Sequence, residues 1–315
     1  MGTGIGSRGI DLADDRALHS ANGRFDGRDG AGARPTALHY APLDHEGIRQ
    51  RTASIASWIA ERRPALIVVD VSVEVAMLAR LASVPMIYVR LNGQRTDAAH
   101  LDAFRGAEAI LAPHPRALDG AGVPSWVQEK TCFFGGITTQ PSRRAPVDKR
   151  ILVVSGRGGE PCDGRLYAEA ARACPQWQWR VIGPASLPRA LPSNLQFAQW
   201  VDMPEREIAE ASLVVGAAGN GLVGMVMAAN RPFVCIPERR PYGEQEATAL
   251  RLGEIGAAIV CPVVPRPNEW AAVIAAAFAM SDAPRRALHD DEGTAKAAEW
   301  IAGQASQAVA AGTTP

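Results

Sequence analysis

Short apolar runs alternate with amphipathic segments along the first half of this 315-residue chain. Strands are predicted at residues 65–70, 84–90, 109–112 and 131–134, and helices at 44–63 and 72–82. Strands that are apolar throughout and alternate with helices are typical of a parallel sheet covered on both faces. Residues 1–36 lack this pattern because Gly, Arg, Asp and Ala dominate them, and we expect irregular structure there.

The same alternation starts again after residue 150. Strands are predicted at residues 151–155, 179–182, 195–200, 213–215, 232–237 and 257–260. Helices are predicted at 163–173, 204–211, 222–229 and 244–252, with another opening at 268–269 and an Ala-rich helical segment at 284–310. A polar stretch with two prolines at 138–149 separates the two halves and has the composition of a linker.

This organisation predicts an α/β protein with two tandem Rossmann-like domains, each built on a parallel sheet. A length of 315 residues agrees with two domains, because a single core rarely grows to that size. We expect a first domain at residues 1–140, a linker at 141–149, a second domain at 150–282 and a C-terminal helical segment at 283–315. In such sheets, ligands bind outside the carboxyl ends of the strands.

Composition and charge argue against several classes of protein. The formal net charge is zero, from 33 basic and 33 acidic residues, which argues against a general nucleic-acid binder. No apolar run approaches the length of a membrane span, and the N-terminus has no signal-peptide core. We therefore expect a cytoplasmic protein without a transmembrane segment, for which peripheral membrane contact stays open. The five cysteines form no Cys-x-x-Cys pair and the six histidines lack ligand spacing, so we expect neither a disulfide framework nor a metal site.

Two glycine loops follow predicted strands in the second half. In the first, Ser155–Glu160 (SGRGGE), the glycines let a ligand approach the backbone and Arg157 complements phosphate charge, although an ordinary strand-to-helix turn explains it equally. The second, Gly216–Gly221 (GAAGNG), opens a helix, where unpaired N–H groups favour an anion. The spacing of the first loop is not Gly-x-Gly-x-x-Gly, which argues against a dinucleotide oxidoreductase.

Other polar and aromatic residues are candidates for ligand binding or catalysis. Glu244 and Gln245 end a polar loop, where a carboxylate beside an amide can bind vicinal sugar hydroxyls or simply start a helix. Trp200 follows a predicted strand, where an aromatic ring can flank a nucleobase or pack in the core. The acid/base candidates of the first half are His39, His45 and Asp70, although an acid such as Asp70 at the end of a strand often caps the next helix.

In combination, these elements resemble the C-terminal donor domain of family 28 glycosyltransferases, which have the GT-B fold and include the peptidoglycan N-acetylglucosaminyltransferase. The resemblance covers about residues 150–280: a glycine loop, an aromatic-apolar-Asp stretch, a small-residue turn and a loop ending in an acid and Gln. It implies donor-binding roles for Gly156, Arg157, Gly158 and Gly159 near the diphosphate, Trp200 and Val201 at the nucleobase, Ala218, Gly219, Asn220 and Gly221 at the phosphate, and Glu244 and Gln245 at the sugar hydroxyls.

The resemblance also implies an activity. It predicts inverting, metal-independent transfer of a sugar from a nucleotide-diphosphate-sugar, most often a UDP-sugar, to an acceptor hydroxyl. No cofactor is implied, because the nucleotide-sugar is a substrate. The acceptor stays open among small-molecule, lipid-linked and glycan hydroxyls. His45 and Asp70 are the candidate catalytic bases that would take the proton of that hydroxyl.

The sequence departs from the family in two places. Met225 stands where the family usually has a Glu that binds the ribose hydroxyls. The family also opens with a strand and a Gly-His-rich loop that do not precede Ile10, and Thr3–Arg8 looks like the exit of a later strand, so we expect the N-terminal domain to lack its first strand. Both departures keep open a non-catalytic nucleotide-sugar or partner-binding protein derived from this fold. A nucleotide-sugar epimerase is a further alternative.

Overall fold

The computed structural model describes residues 9–15, 34–139, 144–159 and 161–312. The chain divides into two compact units. The first comprises residues 1–90, 96–110 and 302–315, and the second comprises residues 91–95 and 111–301. The predictions for Thr3–Arg8 and for most of region 1–36 lie outside the described residues, as do parts of the predicted linker at 140–143.

A four-stranded sheet in the order β1-β2-β3-β4 is built from the first part of the chain. Its strands and helices are α1 Glu46–Arg62, β1 Ile67–Asp70, α2 Val73–Leu81, β2 Met86–Val89, α3 Ala98–Gly106, β3 Ala109–Ala112, α4 Ser125–Lys130 and β4 Thr131–Phe133. The side chains of Met86, Ile87 and Tyr88 are fully buried, which agrees with the apolar run that predicted this strand. Among the described residues, no strand ahead of β1 joins this sheet.

A six-stranded parallel sheet in the order β12-β11-β10-β5-β7-β9 lies in the second unit. Its strands are β5 Arg150–Val154, β7 Gln178–Ile182, β9 Leu195–Ala198, β10 Leu213–Gly216, β11 Phe233–Cys235 and β12 Ile259–Val260. A small parallel pair consists of β6 Cys162–Asp163 and β8 Ala185–Ser186. The direction of strand order reverses between β5 and β10, so this is the topological switch point at which α/β sheets bind ligands.

Helices cover both faces of the six-stranded sheet. They are α5 Gly164–Ala173, α6 Pro204–Glu210, α7 Asn220–Ala229, α8 Glu244–Glu254 and α9 Trp270–Ala279, followed by α10 Ala283–Ala287 and α11 Gly293–Gly312. Because strand side chains alternate between faces, Leu152 and Val214 pack in one core cluster, whereas Ile151 and Val153 pack in another. Both faces are therefore apolar, which explains why the strands appear in the sequence as uninterrupted apolar runs.

The structure corrects the predicted elements in two places. The segment 284–310 is not one helix, because α10 ends at Ala287 and α11 begins at Gly293. A β-carbon on Gly293 would collide with the backbone of Gly135. Only a glycine therefore fits at the position where α11 begins. Helices α3 and α4 and the pair β6–β8 are short elements that the apolar pattern did not indicate. No helix in the described part of the chain is long and apolar enough to cross a membrane.

Candidate functional site

A cavity of about 610 Å³ lies at the carboxyl end of the six-stranded sheet, where β5 and β10 meet. The loops that follow β5, β10 and β11 line it, with Ser155, Gly158, Gly159, Ala217, Glu238 and Arg240 among its walls. This is the switch point described above. Every loop singled out in the second half of the sequence reaches this edge of the sheet, because parallel strands end on the same side.

The first glycine loop packs against side chains of its own unit. Arg240 donates a hydrogen bond to the carbonyl oxygen of Gly158, and its Nη2 atom lies 2.6 Å from Glu238 Oε2. A β-carbon on Gly159 would lie 2.9 Å from the carboxyl carbon of Glu238 and 3.0 Å from Arg240 Nη2. A β-carbon on Gly156 would meet nothing within 4 Å. A side chain on Gly159 would thus have to displace the Glu238–Arg240 pair, whereas a side chain on Gly156 would meet open space.

Arg157 and Trp200, which the sequence assigned to the diphosphate and the nucleobase, contact each other. The guanidinium carbon of Arg157 lies 3.4 Å from the centroid of the Trp200 ring, the geometry of a cation–π contact. The Trp200 side chain is nevertheless 52% exposed, which excludes the alternative that it packs in the core. Val201 beside it is partly buried against the core cluster of its own unit. An exposed indole at the carboxyl edge of the sheet is a platform on which a planar group can stack.

The second glycine turn ends in an open helix N-terminus. Gly219 is the N-cap residue of α7 and no side chain caps the helix. The first intrahelical bond runs from Val223 N to Gly219 O at 3.0 Å, so the N–H groups of Asn220, Gly221 and Leu222 have no intrahelical acceptor. A β-carbon on Gly221 would meet nothing within 4 Å. These N–H groups and the positive end of the helix dipole favour an anion at this position.

The remaining residues of α7 pack in the core or end the helix. Asn230 ends the helix in the left-handed conformation with φ 49°, which asparagine tolerates better than most residues. Val223, Val226 and Met227 are buried, and Met225 is partly buried against the same core cluster. The apolar thioether of Met225 therefore offers no hydrogen-bonding group for a ribose, as its residue type already indicated.

Gln245 holds two loops of the site together. Its side chain is only 5% exposed, and its Oε1 atom accepts hydrogen bonds from Ala218 N at 3.2 Å and Glu238 N at 2.9 Å. The two donors belong to the turn after β10 and the loop after β11. Gln245 therefore lies in the first turn of α8 and also connects the turn after β10 to the loop after β11. Its predicted contact with a sugar hydroxyl stays a prediction.

Glu244 forms an ion pair that the sequence could not reveal. Arg95 Nη2 lies 3.1 Å from Glu244 Oε2, and both side chains are largely buried. The Arg95 guanidinium also lies over the Tyr242 ring, 4.8 Å from its centroid. Burial raises the pKa of Glu244, while the charges of Arg95 and Arg240 act against that rise. Glu244 is thus a partly desolvated carboxylate whose charge depends on these two arginines.

The buried amide of Asn92 connects segment 91–95 to α8 and to residues 118–120. Asn92 Nδ2 donates to Leu118 O at 2.6 Å and to Thr248 Oγ1 at 3.2 Å, and its Oδ1 accepts from Gly93 N and Gly120 N. Gln94 N donates to Tyr242 O at 2.8 Å, which helps to hold Tyr242 at its positive φ of 64°. Sequence reasoning missed segment 91–95, because its partners Tyr242, Glu244 and Thr248 are about 150 residues away in the chain and no local pattern connects them.

The three acid/base candidates lie in the first unit. His45 is buried and caps α1, since its Nδ1 accepts from Ile48 N at 3.3 Å. His39 donates its backbone N–H to Glu74 and its ring stacks edge-on with His100. Asp70 is exposed at the carboxyl end of β1, and Ser72, not Asp70, caps the following helix. A base role for His45 or Asp70 stays a prediction.

Across the described ranges, no group of three or more His, Cys, Asp or Glu side chains is arranged to hold a metal ion. All five cysteines are free thiols. Burial raises the pKa of Cys174 and raises that of Cys235 to about 12, so both thiols stay protonated at neutral pH.

Solved structures show which fold this is. The glycosyltransferase of kitacinnamycin aligns with a TM-score of 0.62 at 19% identity, over 81% of this chain and 79% of that one. MurG of Acinetobacter baumannii aligns with a TM-score of 0.61 at 18% identity, over 82% and 78%. The spinosyn rhamnosyltransferase SpnG complexed with thymidine diphosphate aligns at 0.58 and 17%, over 79% and 76%. No protein-family model and no curated protein sequence matches the chain. The predicted α/β GT-B fold is confirmed.

Proposed function

We propose that this protein is a glycosyltransferase that uses a nucleotide-diphosphate-sugar donor. The observation that carries the proposal is the presence of three features along one edge of the six-stranded sheet. An exposed indole, an uncapped helix N-terminus and a partly buried carboxylate follow the strands β9, β10 and β11 in turn. They match the base, the phosphates and the sugar of such a donor in that order.

The donor would lie with its base on Trp200 and beside Val201, its diphosphate at Ala218–Gly221, and its sugar towards Glu244. Arg157 already lies on the Trp200 ring, and its charge would face the diphosphate together with Gly156. SpnG and VinC, which share the fold, were solved with thymidine diphosphate and dTDP respectively. We therefore propose a pyrimidine nucleotide, UDP or dTDP, as the carrier of the sugar.

The chemistry follows from this placement. An acceptor hydroxyl would attack the anomeric carbon after losing its proton to a base, for which His45 and Asp70 are the proposed candidates. The bond to the diphosphate breaks, and the anomeric centre is inverted. The α7 N-terminus and Arg157 would stabilise the charge that develops on the leaving diphosphate, so the reaction would not depend on a metal. The acceptor would be a small-molecule, lipid-linked or glycan hydroxyl.

Calorimetric titration with UDP, dTDP and their sugar derivatives tests the proposal. Wild type is expected to bind at least one of them, and Gly221→Leu is expected to abolish binding because its side chain fills the open space at the α7 N-terminus. Gly303→Leu is the matched control, since that glycine also lies in a helix with nothing within 4 Å of its β-carbon position. Absence of binding to every nucleotide would refute the proposal.

A second function, a non-catalytic nucleotide-sugar or partner-binding protein of this fold, is favoured by Met225. A core-packed thioether cannot bind the ribose hydroxyls, so donor binding would lack a contact. Turnover separates the two functions. Release of free nucleoside diphosphate from the donor supports the transferase, whereas tight binding without any hydrolysis or transfer, over a panel of acceptors, supports the binding protein.

A further inference from the structure

A second cavity lies in the second unit, apart from the switch point. Its volume of about 590 Å³ is typical of sites that bind small molecules. Its walls are β4 with the loop that follows it (131–135), Pro115 with Arg116, and residues 287–290 between α10 and α11. None of these residues lines the cavity at the switch point. The nucleotide-sugar placed above therefore makes no use of this cavity.

Backbone contacts hold two of these walls together. A β-carbon on Gly136 would collide with the carbonyl oxygen of Asp290, and one on Gly293 would collide with that of Gly135. The two segments approach this closely because glycines stand at both contacts. The separation of the walls is therefore set by packed backbone.

Arg116 gives this cavity a positive charge. Its guanidinium carbon lies 4.4 Å from the centroid of the Phe133 ring, and it forms no ion pair with any described residue. Burial raises the pKa of the Cys132 thiol, which also lines the cavity, and the charge of Arg116 acts against that rise. The one carboxylate of the walls, Asp290, is held by Lys296, whose Nζ lies 2.7 Å from Asp290 Oδ2. The cavity thus offers a cation to a ligand, while its own carboxylate is occupied.

Most of the remaining wall is apolar and is formed by Pro115, Phe133, Phe134, Ala287 and Leu288. The rings of Phe133 and Phe134 are only partly buried. Phe134 packs on Trp300 of α11, with ring centroids 5.5 Å apart. Partly exposed rings beside a cation favour a ligand that has a planar apolar part as well as a negative charge.

We propose that this cavity binds a small organic carboxylate with a planar apolar body. A guanidinium pairs with a carboxylate through two parallel hydrogen bonds, and its N–H donors lie in its own plane, so packing over a ring leaves them available. The body of the acid would pack against the phenylalanine rings and Leu288. Inorganic phosphate could use the charge but not the apolar walls. The proposal goes beyond the proposed function and does not depend on nucleotide binding.

Benzoate and benzamide have the same shape and differ in charge, so they test the class of ligand. In calorimetric titration of the full chain, benzoate is expected to bind at least about tenfold more tightly than benzamide. Arg116→Met should weaken benzoate binding about tenfold and change benzamide binding less than about twofold. Arg206→Met, at an exposed residue of α6 away from the cavity, is the control for net charge. Equal affinities for the two probes, an unchanged benzoate affinity in Arg116→Met, or tighter binding of inorganic phosphate than of benzoate would overturn the proposal.

Labelling of Cys132 locates the bound acid without any variant. Both Cys132 and Cys162 are partly exposed free thiols, but Cys132 lines this cavity and Cys162 lines the cavity at the switch point. Benzoate is expected to slow alkylation of Cys132 by N-ethylmaleimide and to leave that of Cys162 unchanged, as measured by mass spectrometry of peptides. Benzoate that protects Cys162, or neither thiol, binds elsewhere and contradicts the proposal. Protection of Cys132 by UDP or dTDP would assign the cavity to the nucleotide and contradict it as well.

Discussion

The two glycine loops at the switch point, residues 155–160 after β5 and 216–221 after β10, differ in what lies beside their glycines. After β5, the space beside Gly159 is filled by the protein itself, through the Glu238 carboxylate and the Arg240 guanidinium. After β10, the space beside Gly221 is empty, and the helix behind it has no side-chain cap. Both loops look alike in the sequence. A glycine can therefore allow close packing within the chain or the approach of a ligand. Which of the two it allows depends on the residues that pack beside it in the folded structure.

Two polar side chains at the start of α8 are held by other groups of the protein. Gln245 is held by Ala218 and Glu238, and Glu244 by Arg95. A free carboxylate near the α7 N-terminus would compete with an anionic ligand for the same N–H groups.

The largest effect is expected from Arg95→Met, which removes a partner of Glu244. Without Arg95, the pKa of Glu244 rises further above its ordinary value, because burial is then opposed only by Arg240. A raised pKa in the folded state lowers stability as pH rises through it, so the loss relative to wild type should be small at pH 4 and grow towards pH 8, reaching about 2 kcal/mol. Urea unfolding at a series of pH values measures it.

The double variant Arg95→Met/Glu244→Gln provides the control for this prediction. Because the amide does not titrate, the double variant should lose most of the pH-dependent part of the instability. If the single variant shows the same loss at every pH, Arg95 stabilises the fold through its packing on Tyr242 and not through the Glu244 charge.

An intermediate effect is expected from Gly159→Ala. The new methyl group displaces Glu238 and Arg240, which are both partly exposed, so the ion pair contributes modestly and the loss should be about 1 kcal/mol. Chemical denaturation measures the loss, and Gly156→Ala, with nothing near its β-carbon, serves as the control within the same loop. Equal stability of the two variants would mean that the first loop is as open as the second.

The smallest effect on stability is expected from Gly221→Ala. The methyl group meets nothing, and alanine is a better helix former than glycine, so the variant should be more stable by up to about 1 kcal/mol. A thermal or urea unfolding curve decides the sign. A loss of stability would show that the space at the N-terminus of α7 is already occupied by the protein, and would remove the contrast between the two loops.

Much of the fold followed from the sequence. All six strands of the second sheet and the helices on its faces lie near the predicted ranges, because doubly covered strands leave long apolar runs. The break between α10 and α11 was missed, since Ala-rich composition favours helix throughout and the reason for the break is a tertiary contact of Gly293. The short helices α3 and α4 were missed because they leave no extended periodic pattern.

The candidate site followed from the sequence only in part. Each loop was found because its glycines, its indole or its acid–amide pair has a recognisable chemistry at the end of a strand. The contact between Arg157 and Trp200 was not foreseen, although both residues had been assigned to the same ligand. Arg95 and Asn92 were not foreseen at all, because their partners Glu244 and Thr248 are remote in sequence and a single sequence contains no record of such pairs.

The sequence by itself thus determined the alternation of strands and helices, the parallel sheets and the loops that reach the switch point. These features depend on local periodicity and residue type, which can be read directly from the sequence. Only the tertiary structure decided which glycine space is filled, which two loops Gln245 connects and which arginine holds Glu244. These depend on hydrogen bonds and charges between distant segments, whose direction is set by the packed backbone and not by the residues alone.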